Sequence, residues 1–527
     1  MPSAKRFKRM MSQKDFSCVS SFYFIPAFDK RLQIQGKMGA QVSSILRHLT
    51  AYIKTPRLLP SSKVPDVEPV PPARLLRIPT NGEPTALAAF ITDATKIVEA
   101  HYARSSHPGV PSLNDTDEHP LDQDLNSELR TAIQVIEGAC AQLSATVARP
   151  EHTIVNIFLQ KVMAFVEPTC LGIAITFKIP DVLRGRPGGM HISEIGKKTG
   201  LEERKVGRIL RLLTSRHVFT EVSENVFANN RLSIRLLSEN PLSNMGSCYV
   251  EEYQKSTSLL PDILGDKMWG HSYLSTHTAF NKWSLYDGSL FAFMNAPQGL
   301  RFKARFDVGM IGWGNACQAH NIVYQFPWKE LPDGASVCDL GGGVGNISLQ
   351  LAKAYPTLKL ILQDLPETIQ RAKTEVWPEK CPEAIRQKRI EFKTIDFFKE
   401  SPVAGCNVYL LKNIIHDWPD HDCVTILTNI RKVMEPYSQI LIHEYILQNA
   451  NRVPDEPCAF QQAPQPMLAN YGAGRIRQYN LDLCMMAMLN GEERKLADFV
   501  RLGEQAGLKF EKLWDLGEMA VVELRLP

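Results

Sequence analysis

The chain has no Cys-x-x-Cys pair and no Cys/His cluster at metal-ligand spacing. Its 11 cysteines are scattered. That excludes a zinc ribbon or a disulfide framework and fits reduced thiols in a cytoplasmic protein. No uninterrupted apolar run reaches about 18 residues, so no membrane span is expected. Charge of one sign is scarce too: the net charge is +4 over 527 residues, which gives no reason to expect a nucleic-acid or membrane partner. A single hydrophobic core is excluded by length, and two or three domains are expected.

The first 60 residues depart from this balance. Lys5, Arg6, Lys8, Arg9, Lys14 and further basic residues face only Asp15 and Asp29. An unstructured basic tail is the preferred reading over an organelle-targeting segment. A second possible start at Met38, followed by Gly39 and Ser43, matches an N-myristoylation pattern. Eight prolines between Pro56 and Pro84 mark a linker. Apolar residues at helical spacing then begin at Ala86, and a second helical run spans 128–147.

Residues 152–235 read as a compact helical unit. A short helix in His191–Gly200 leads to a second with Val206, Ile209, Leu210 and Leu213 on one face, then a hairpin turning near Ser223–Asn225. Helix, turn, helix, hairpin is a winged helix. Lys205, Arg208 and Arg211 on its second helix allow a DNA-binding regulator. Their acidic neighbours Glu202 and Glu203 favour a solvated face of a scaffold module. From Val337 onward short apolar strands alternate with helices: 337–340, 358–363, 407–411 and 439–443. That is a doubly wound α/β domain.

The first of these strands runs into Asp339-Leu-Gly341-Gly-Gly343-Val-Gly345-Asn346. Glycines at the carboxyl edge of a parallel strand let the backbone approach a ligand. The GxGxG spacing differs from the GxGxxG of pyrophosphate-binding loops, and Asp339 suits a ligand with an ammonium or sulfonium. Asp364 ends the second strand and is placed to accept from both ribose hydroxyls, or to cap the helix starting at Pro366. A nucleoside cofactor follows.

These segments, with Asp396-Phe397-Phe398 and Leu411-Lys412-Asn-Ile-Ile-His416-Asp-Trp-Pro419, occur in the order found in class I O-methyltransferases of plant phenolic and fungal polyketide metabolism. Residues 150–527 resemble that family. The resemblance implies S-adenosylmethionine as cofactor, a small-molecule aromatic substrate and a homodimer built by the winged helix. It implies a Rossmann-like doubly wound SAM-binding domain preceded by a helical winged-helix dimerisation domain. The division is then 1–84 tail, 85–150 N-terminal helices, 151–325 dimerisation and substrate-lid region, and 326–527 catalytic domain. Gly341, Asp364, Asp396, Phe397 and Lys412 would hold the cofactor. Phe397 offers an apolar face to a purine and Asp396 an acceptor for its amine.

Methyl transfer from a sulfonium needs an aligned and deprotonated oxygen, and a phenol with pKa about 10 is scarcely ionised at neutrality. His416, just past the third strand, is the natural base. His421 reads as a solvated helix start and His443 as structural. In the family, glutamates matching Glu444 and Glu493 flank the histidine. Met485 and Met488, on a helix placed near 482–489, are candidates to clamp a flat ring, and Met310 lies in 302–313, which resembles the family's helix that closes over cofactor and acceptor. The Pro-, Gln- and Ala-rich stretch 448–477 reads as a lid or an unstructured loop. A SAM-binding member running a non-methylating step, whether decarboxylation, hydroxylation or a pericyclic reaction, stays open. No metal site is evident, so a metal-free reaction is expected.

Overall fold

A computed structural model describes residues 83–104, 109–119, 122, 127–149, 154, 162–453 and 460–527. The expected basic tail and proline linker, residues 1–82, lie outside the described residues, as does most of 150–161. Helices α1 (Glu83–Tyr102) and α2 (Ser127–Val147) pair through Leu87 and Ala139. The winged helix follows: β1 (Met190–His191), α3 (Ile192–Thr199), α4 (Glu203–Thr214), β2 (Thr220–Ser223) and β3 (Val226–Ala228), in sheet order β1-β3-β2. Its helix ends are written locally. Glu202 accepts from the N–H groups of Arg204 and Lys205 to start α4, and Gly200 closes α3 in the left-handed region. Ile195, Val206, Leu210 and Leu213 bury its inner face.

A run of helices connects this module to the catalytic domain. α5 (Pro241–Cys248) packs against α6 (Leu300–Ala316), a helix that also carries Phe306, Met310 and Trp313.

The α/β domain holds a seven-stranded sheet in the order β11-β12-β8-β7-β4-β5-β6. Its strands are β4 (Ser336–Leu340), β5 (Lys359–Asp364), β6 (Ile390–Thr394), β7 (Val408–Lys412), β8 (Gln439–Glu444), β11 (Lys509–Asp515) and β12 (Ala520–Arg525). A separate parallel pair joins β9 (Ile446–Leu447) to β10 (Arg494–Lys495). The four strands expected from sequence are β4, β5, β7 and β8. Three sheet strands were not anticipated. β6 is an edge strand mixing Ile390 and Phe392 with Glu391 and Lys393, and β11 is an edge strand with charged residues throughout, so neither forms an apolar run. β12 pairs antiparallel with β8 and β11, closing the chain into a hairpin rather than another crossover.

Successive residues on each strand feed opposite cores. Val337, Leu360, Leu362, Val408, Leu410 and Leu441 join Trp328, Trp377 and α7 (Asn346–Ala354) on one face. Cys338, Leu340, Tyr409, Leu411, Ile440 and Ile442 face α9 (Asp420–Arg431) and α11 (Leu496–Gln505) on the other. α8 (Pro366–Arg371), after β5, adds Ile369 to the first core, and α10 (Ile476–Leu489) joins a third core with α5 and α6. α10 begins at Ile476, six residues before the expected start at Asp482.

The chain leaves β4 toward β5 and β6, then returns to β7 and β8 on the far side of β4. Neighbouring parallel strands β4 and β7 therefore send their following loops in opposite directions, opening a crevice at their carboxyl ends.

The stretch 448–477 is neither a lid nor a loose loop where it is described. Ala463, Met467 and Tyr471 are buried against Leu87 and Ala139 of the N-terminal helices. Contact is close enough that a Cβ on Gly474 would lie 2.4 Å from the carbonyl oxygen of Gln134 in α2. The described part of this stretch is a strap holding α1 and α2 to the catalytic domain.

Candidate active site

At the β4–β7 crevice lies a cavity of about 520 Å³. Eight of the residues singled out from sequence line it: Gly341, Asp364, Asp396, Phe397, Lys412, His416, Met310 and Met485. Glu444 and Glu493 do not line it and stand directly behind His416.

The glycine loop shapes one end. Gly345 starts α7 at φ +91°, and a Cβ there would sit 2.9 Å from the Trp377 indole nitrogen; only glycine is unstrained in this place. The N–H of Gly343 donates to Asp364 Oδ2 at 2.8 Å and that of Leu365 to Oδ1 at 2.7 Å. Asp364 thus ties the loop to the start of α8. Its pKa is raised by burial, against the pull of these two N–H groups. Asp339 lines the cavity and also has a structural role. Its Oδ2 accepts from Ser348 Oγ at 2.6 Å, so the carboxylate braces the loop onto α7. Burial raises it to about 6, against Ser348 and Lys412. Lys412 is itself shifted down by burial, with Asp339 opposing.

The other end of this half is aromatic. Phe397 packs edge-on to Phe398 and Trp418, with centroids 4.9 and 6.2 Å away. Asp396 accepts from the Phe398 N–H at 3.2 Å and pairs with Lys399 at 2.7 Å, and the Lys399 bond holds its pKa down. It is a loop cap whose carboxylate also borders the cavity. These residues fit a nucleoside: backbone N–H groups and a carboxylate at the sugar position, a flat apolar face beyond it, and a cavity reaching from there to His416.

His416 sits in a tight turn after β7. Asn413, at φ +55°, swings the chain out of the strand, a conformation asparagine tolerates. Glu444 Oε1 then accepts from three successive N–H groups, those of Ile414, Ile415 and His416, at 3.0, 2.6 and 3.3 Å. The imidazole Nδ1 lies 2.6 Å from Glu493 Oε1 and Nε2 lies 3.6 Å from Asp417 Oδ1. Glu493 therefore takes the ring and Glu444 the backbone beneath it. Burial pulls the imidazole pKa down, but Glu493, Asp417 and Glu444 outweigh it and raise it to about 10. Burial raises Asp417 to about 6 and Glu444 to about 7, with His416 opposing in both. His443, by contrast, is buried with neither ring nitrogen bonded and is pushed down to about 3, so it stays neutral.

Beyond His416 the cavity is walled by Tyr249 and Tyr253, on a single π-helical turn, and by Phe291, Phe306, Trp313 and Met485. The Tyr249 ring lies 5.0 Å from Tyr253 and 5.7 Å from Trp313. Met485 was selected from sequence, and Phe306 and Trp313 lie in the segment 302–313 singled out there; sequence patterns could not select Tyr249, Tyr253 and Phe291, whose aromatic spacing is that of any core. Asp417 and Trp418 were nearer to hand, being part of the same motif as His416.

A family model described as an O-methyltransferase domain matches residues 289–509, and one described as an O-methyltransferase dimerisation domain matches residues 159–239. The chain is 42% identical over 442 residues to 3-O-methyltransferase 2 of Phanerochaete chrysosporium, covering 83% of this chain and 96% of that one. It is 35% identical over 421 residues to O-methyltransferase gedA of Aspergillus terreus, covering 74% and 85%. Among solved structures, OxaC in complex with SAH and oxaline gives a TM-score of 0.60 at 21% identity, covering 84% of this chain and 100% of that one. A pericyclic reaction enzyme gives 0.59 at 20% identity, covering 83% and 99%. At such identities these two likenesses speak for the fold alone. The winged helix thus falls within the dimerisation match, and the glycine loop, the Asp364 position and the His416 turn all fall within the catalytic one. The chain belongs to the S-adenosylmethionine-dependent O-methyltransferases.

Proposed function

We propose that this enzyme methylates a phenolic hydroxyl of a small, polyketide-derived aromatic in secondary metabolism, with His416 as the base. The carrying observation is the 2.6 Å His416–Glu493 pair at the junction of the nucleoside-shaped and aromatic-walled halves of one cavity. Gly341, Asp364, Asp396, Phe397 and Lys412 hold the cofactor in this reading. When bound, the sulfonium supplies an activated methyl group. What the chain must add is alignment and removal of the acceptor's proton.

Alignment falls to Met310, Met485 and the aromatic walls, which leave a flat ring little freedom. Holding two reactants in line is worth roughly 7–11 kcal/mol, more than the 10²–10⁴-fold of general base catalysis. For the proton, Glu493, Asp417 and Glu444 raise the imidazole pKa toward that of a phenol, near 10. The upward shift makes transfer less uphill than it would be to an ordinary imidazole near 6.5, which would face about 5 kcal/mol. The cost is that the free base is scarce at neutrality. The rate should therefore rise with pH through the alkaline range. Glu493 fixes the tautomer with Nε2 toward the substrate and stabilises the imidazolium once formed.

The dimerisation match supports a homodimer, and the cysteine pattern supports a cytoplasmic location. The test is incubation of purified protein with S-adenosylmethionine and a panel of hydroxylated naphthalenes and anthraquinones, read as mass gain of one methyl group. Product from the wild type and none above background from His416→Ala supports the reading. Wild-type protein that binds the cofactor yet methylates no phenol refutes it and favours a non-methylating member of the family.

A further inference from the structure

Glu493 is followed in the chain by Arg494, whose side chain is 1% exposed and lines no part of the cavity. Its guanidinium donates from Nη1 to the carbonyl of Ile415 at 2.9 Å and from Nη2 to that of Trp418 at 2.8 Å. Those two residues bracket His416 and Asp417. Nε and Nη2 also reach Asp420 Oδ1 at 3.1 and 2.9 Å, and Nη1 reaches the carbonyl of Glu492 at 3.3 Å. The turn carrying His416 is therefore gripped twice. The Glu444 carboxylate takes its N–H groups, and the Arg494 guanidinium takes carbonyls on either side of His416.

We propose that Arg494 is a positioning residue for methyl transfer, holding the backbone of Ile415–Trp418 so that the His416 ring stays in register with Glu493, Arg494's own neighbour in the chain. This rests on the reading of His416 as the base. One side chain fixes both partners of the His416–Glu493 pair, because it is bonded to the turn that carries one and is peptide-linked to the other. The grip extends to the surface. Asp420 is held in turn by Arg501 at 2.8 Å, and both side chains are substantially exposed.

The geometry requires arginine. A planar fork with five donors serves two carbonyls and a carboxylate at once, while a lysine ammonium is a point donor on a flexible stem. Arg494→Lys thus keeps the charge and removes the fork, separating positioning from mere neutralisation of Glu444 and Glu493. The charged or titratable groups around the His416 ring are Glu493 beside β10, Asp417 in its own turn and Glu444 on β8, with Tyr249 and Tyr253 facing Glu493 and Asp417 from the π-helical turn.

The experiment uses full-length protein saturated with S-adenosylhomocysteine and labelled with ¹³C at histidine Cε1, the His416 signal being identified by its loss in His416→Ala. The ring titration is followed in wild type, Arg494→Lys and Asp420→Asn, alongside methylation of 1-naphthol. The expected result is a His416 midpoint at least one pH unit lower in Arg494→Lys and a smaller drop in Asp420→Asn. With it, kcat falls tenfold or more and a few-fold respectively, while the cofactor dissociation constant stays within twofold. An unchanged His416 midpoint in Arg494→Lys that still binds the cofactor overturns the proposal. If Arg494→Lys does not bind, Asp420→Asn decides, and an unchanged midpoint and kcat there overturn it. If wild type methylates no naphthol, the acceptor reading fails separately, and the titration still decides whether Arg494 positions the ring.

Discussion

Replacing Glu493 by glutamine preserves its size and removes one negative charge from a ring nitrogen 2.6 Å away. The His416 pKa should then fall from about 10 toward the ordinary imidazole value. The rising limb of kcat/KM against pH should move to lower pH with it. At its plateau the rate should drop about 10²-fold, the scale expected when a base loses its match to the phenol. A pH–rate profile of wild type and Glu493→Gln checks both; an unmoved limb would deny that this pair governs deprotonation. At the cofactor end, Gly345→Ala forces a φ of +91° and a 2.9 Å clash with Trp377 on a residue with a Cβ. Calorimetric titration should show cofactor affinity at least tenfold weaker, while the chain remains folded. The glycine loop was legible because its conformational demand is local. His416 was legible from its place just past the third strand, but its pairing with Glu444 and Glu493 only through family resemblance, since 77 residues separate the ring from Glu493 and no spacing rule spans that gap.

Elements decide how firmly those residues are held. The short turn after β7 depends on one carboxylate for three N–H groups. Glu444→Leu would leave them buried without acceptors, at about 1–3 kcal/mol each before relaxation. A melting temperature lowered by ten degrees or more, or failure to fold, is expected, whereas Glu444→Gln keeps an acceptor oxygen and should melt much closer to wild type. The strap 460–475 acts on a different element. Gly474→Leu drives a side chain into the Gln134 carbonyl, 2.4 Å from where its Cβ must stand. Limited proteolysis should then cut in or near α1 and α2 much faster, with cofactor affinity retained. The sequence suggested a lid here because proline, glutamine and alanine carry no helical or strand period. What the composition could not show is that Ala463, Met467 and Tyr471 find a buried surface on helices more than 300 residues upstream.

For the whole molecule, four buried groups of the site are raised on folding, while Lys412 and Asp396 beside them are lowered. Asp339 and Asp417 are raised from 3.8 to about 6, Glu444 from 4.5 to about 7 and His416 from 6.5 to about 10. A pKa raised on folding contributes stability that is fully present below the unfolded value and lost as pH rises through the folded one. The carboxyl contribution should fade between about pH 4 and 7 and that of His416 between about 6.5 and 10. Melting temperature should therefore decline from mildly acidic to alkaline pH, and His416→Asn should flatten the upper part of that decline. A melting temperature that rises from pH 7 to 9 would contradict the assignment. Methyl transfer should also persist in EDTA, since in the proposed mechanism the acceptor's proton goes to His416 and no ion is needed; abolition of activity by chelator, restored by a divalent metal, would refute that.

The sequence by itself determined the winged helix, the parallel strands β4, β5, β7 and β8, and the glycine loop, because caps, apolar periodicity and backbone freedom are properties of neighbouring residues. It left out β6 and β11, whose charged edge positions mask the strand pattern. Only the tertiary structure decided that Asp339, while lining the cavity, also braces α7 through Ser348. The same holds for Glu493 meeting the ring while Glu444 meets the backbone, and for Arg494 gripping the turn from behind. Those outcomes follow from the strand order. By returning past β4 to form β7 and β8, the chain brings residues distant in sequence to one sheet edge, where burial and hydrogen-bond geometry set their chemistry.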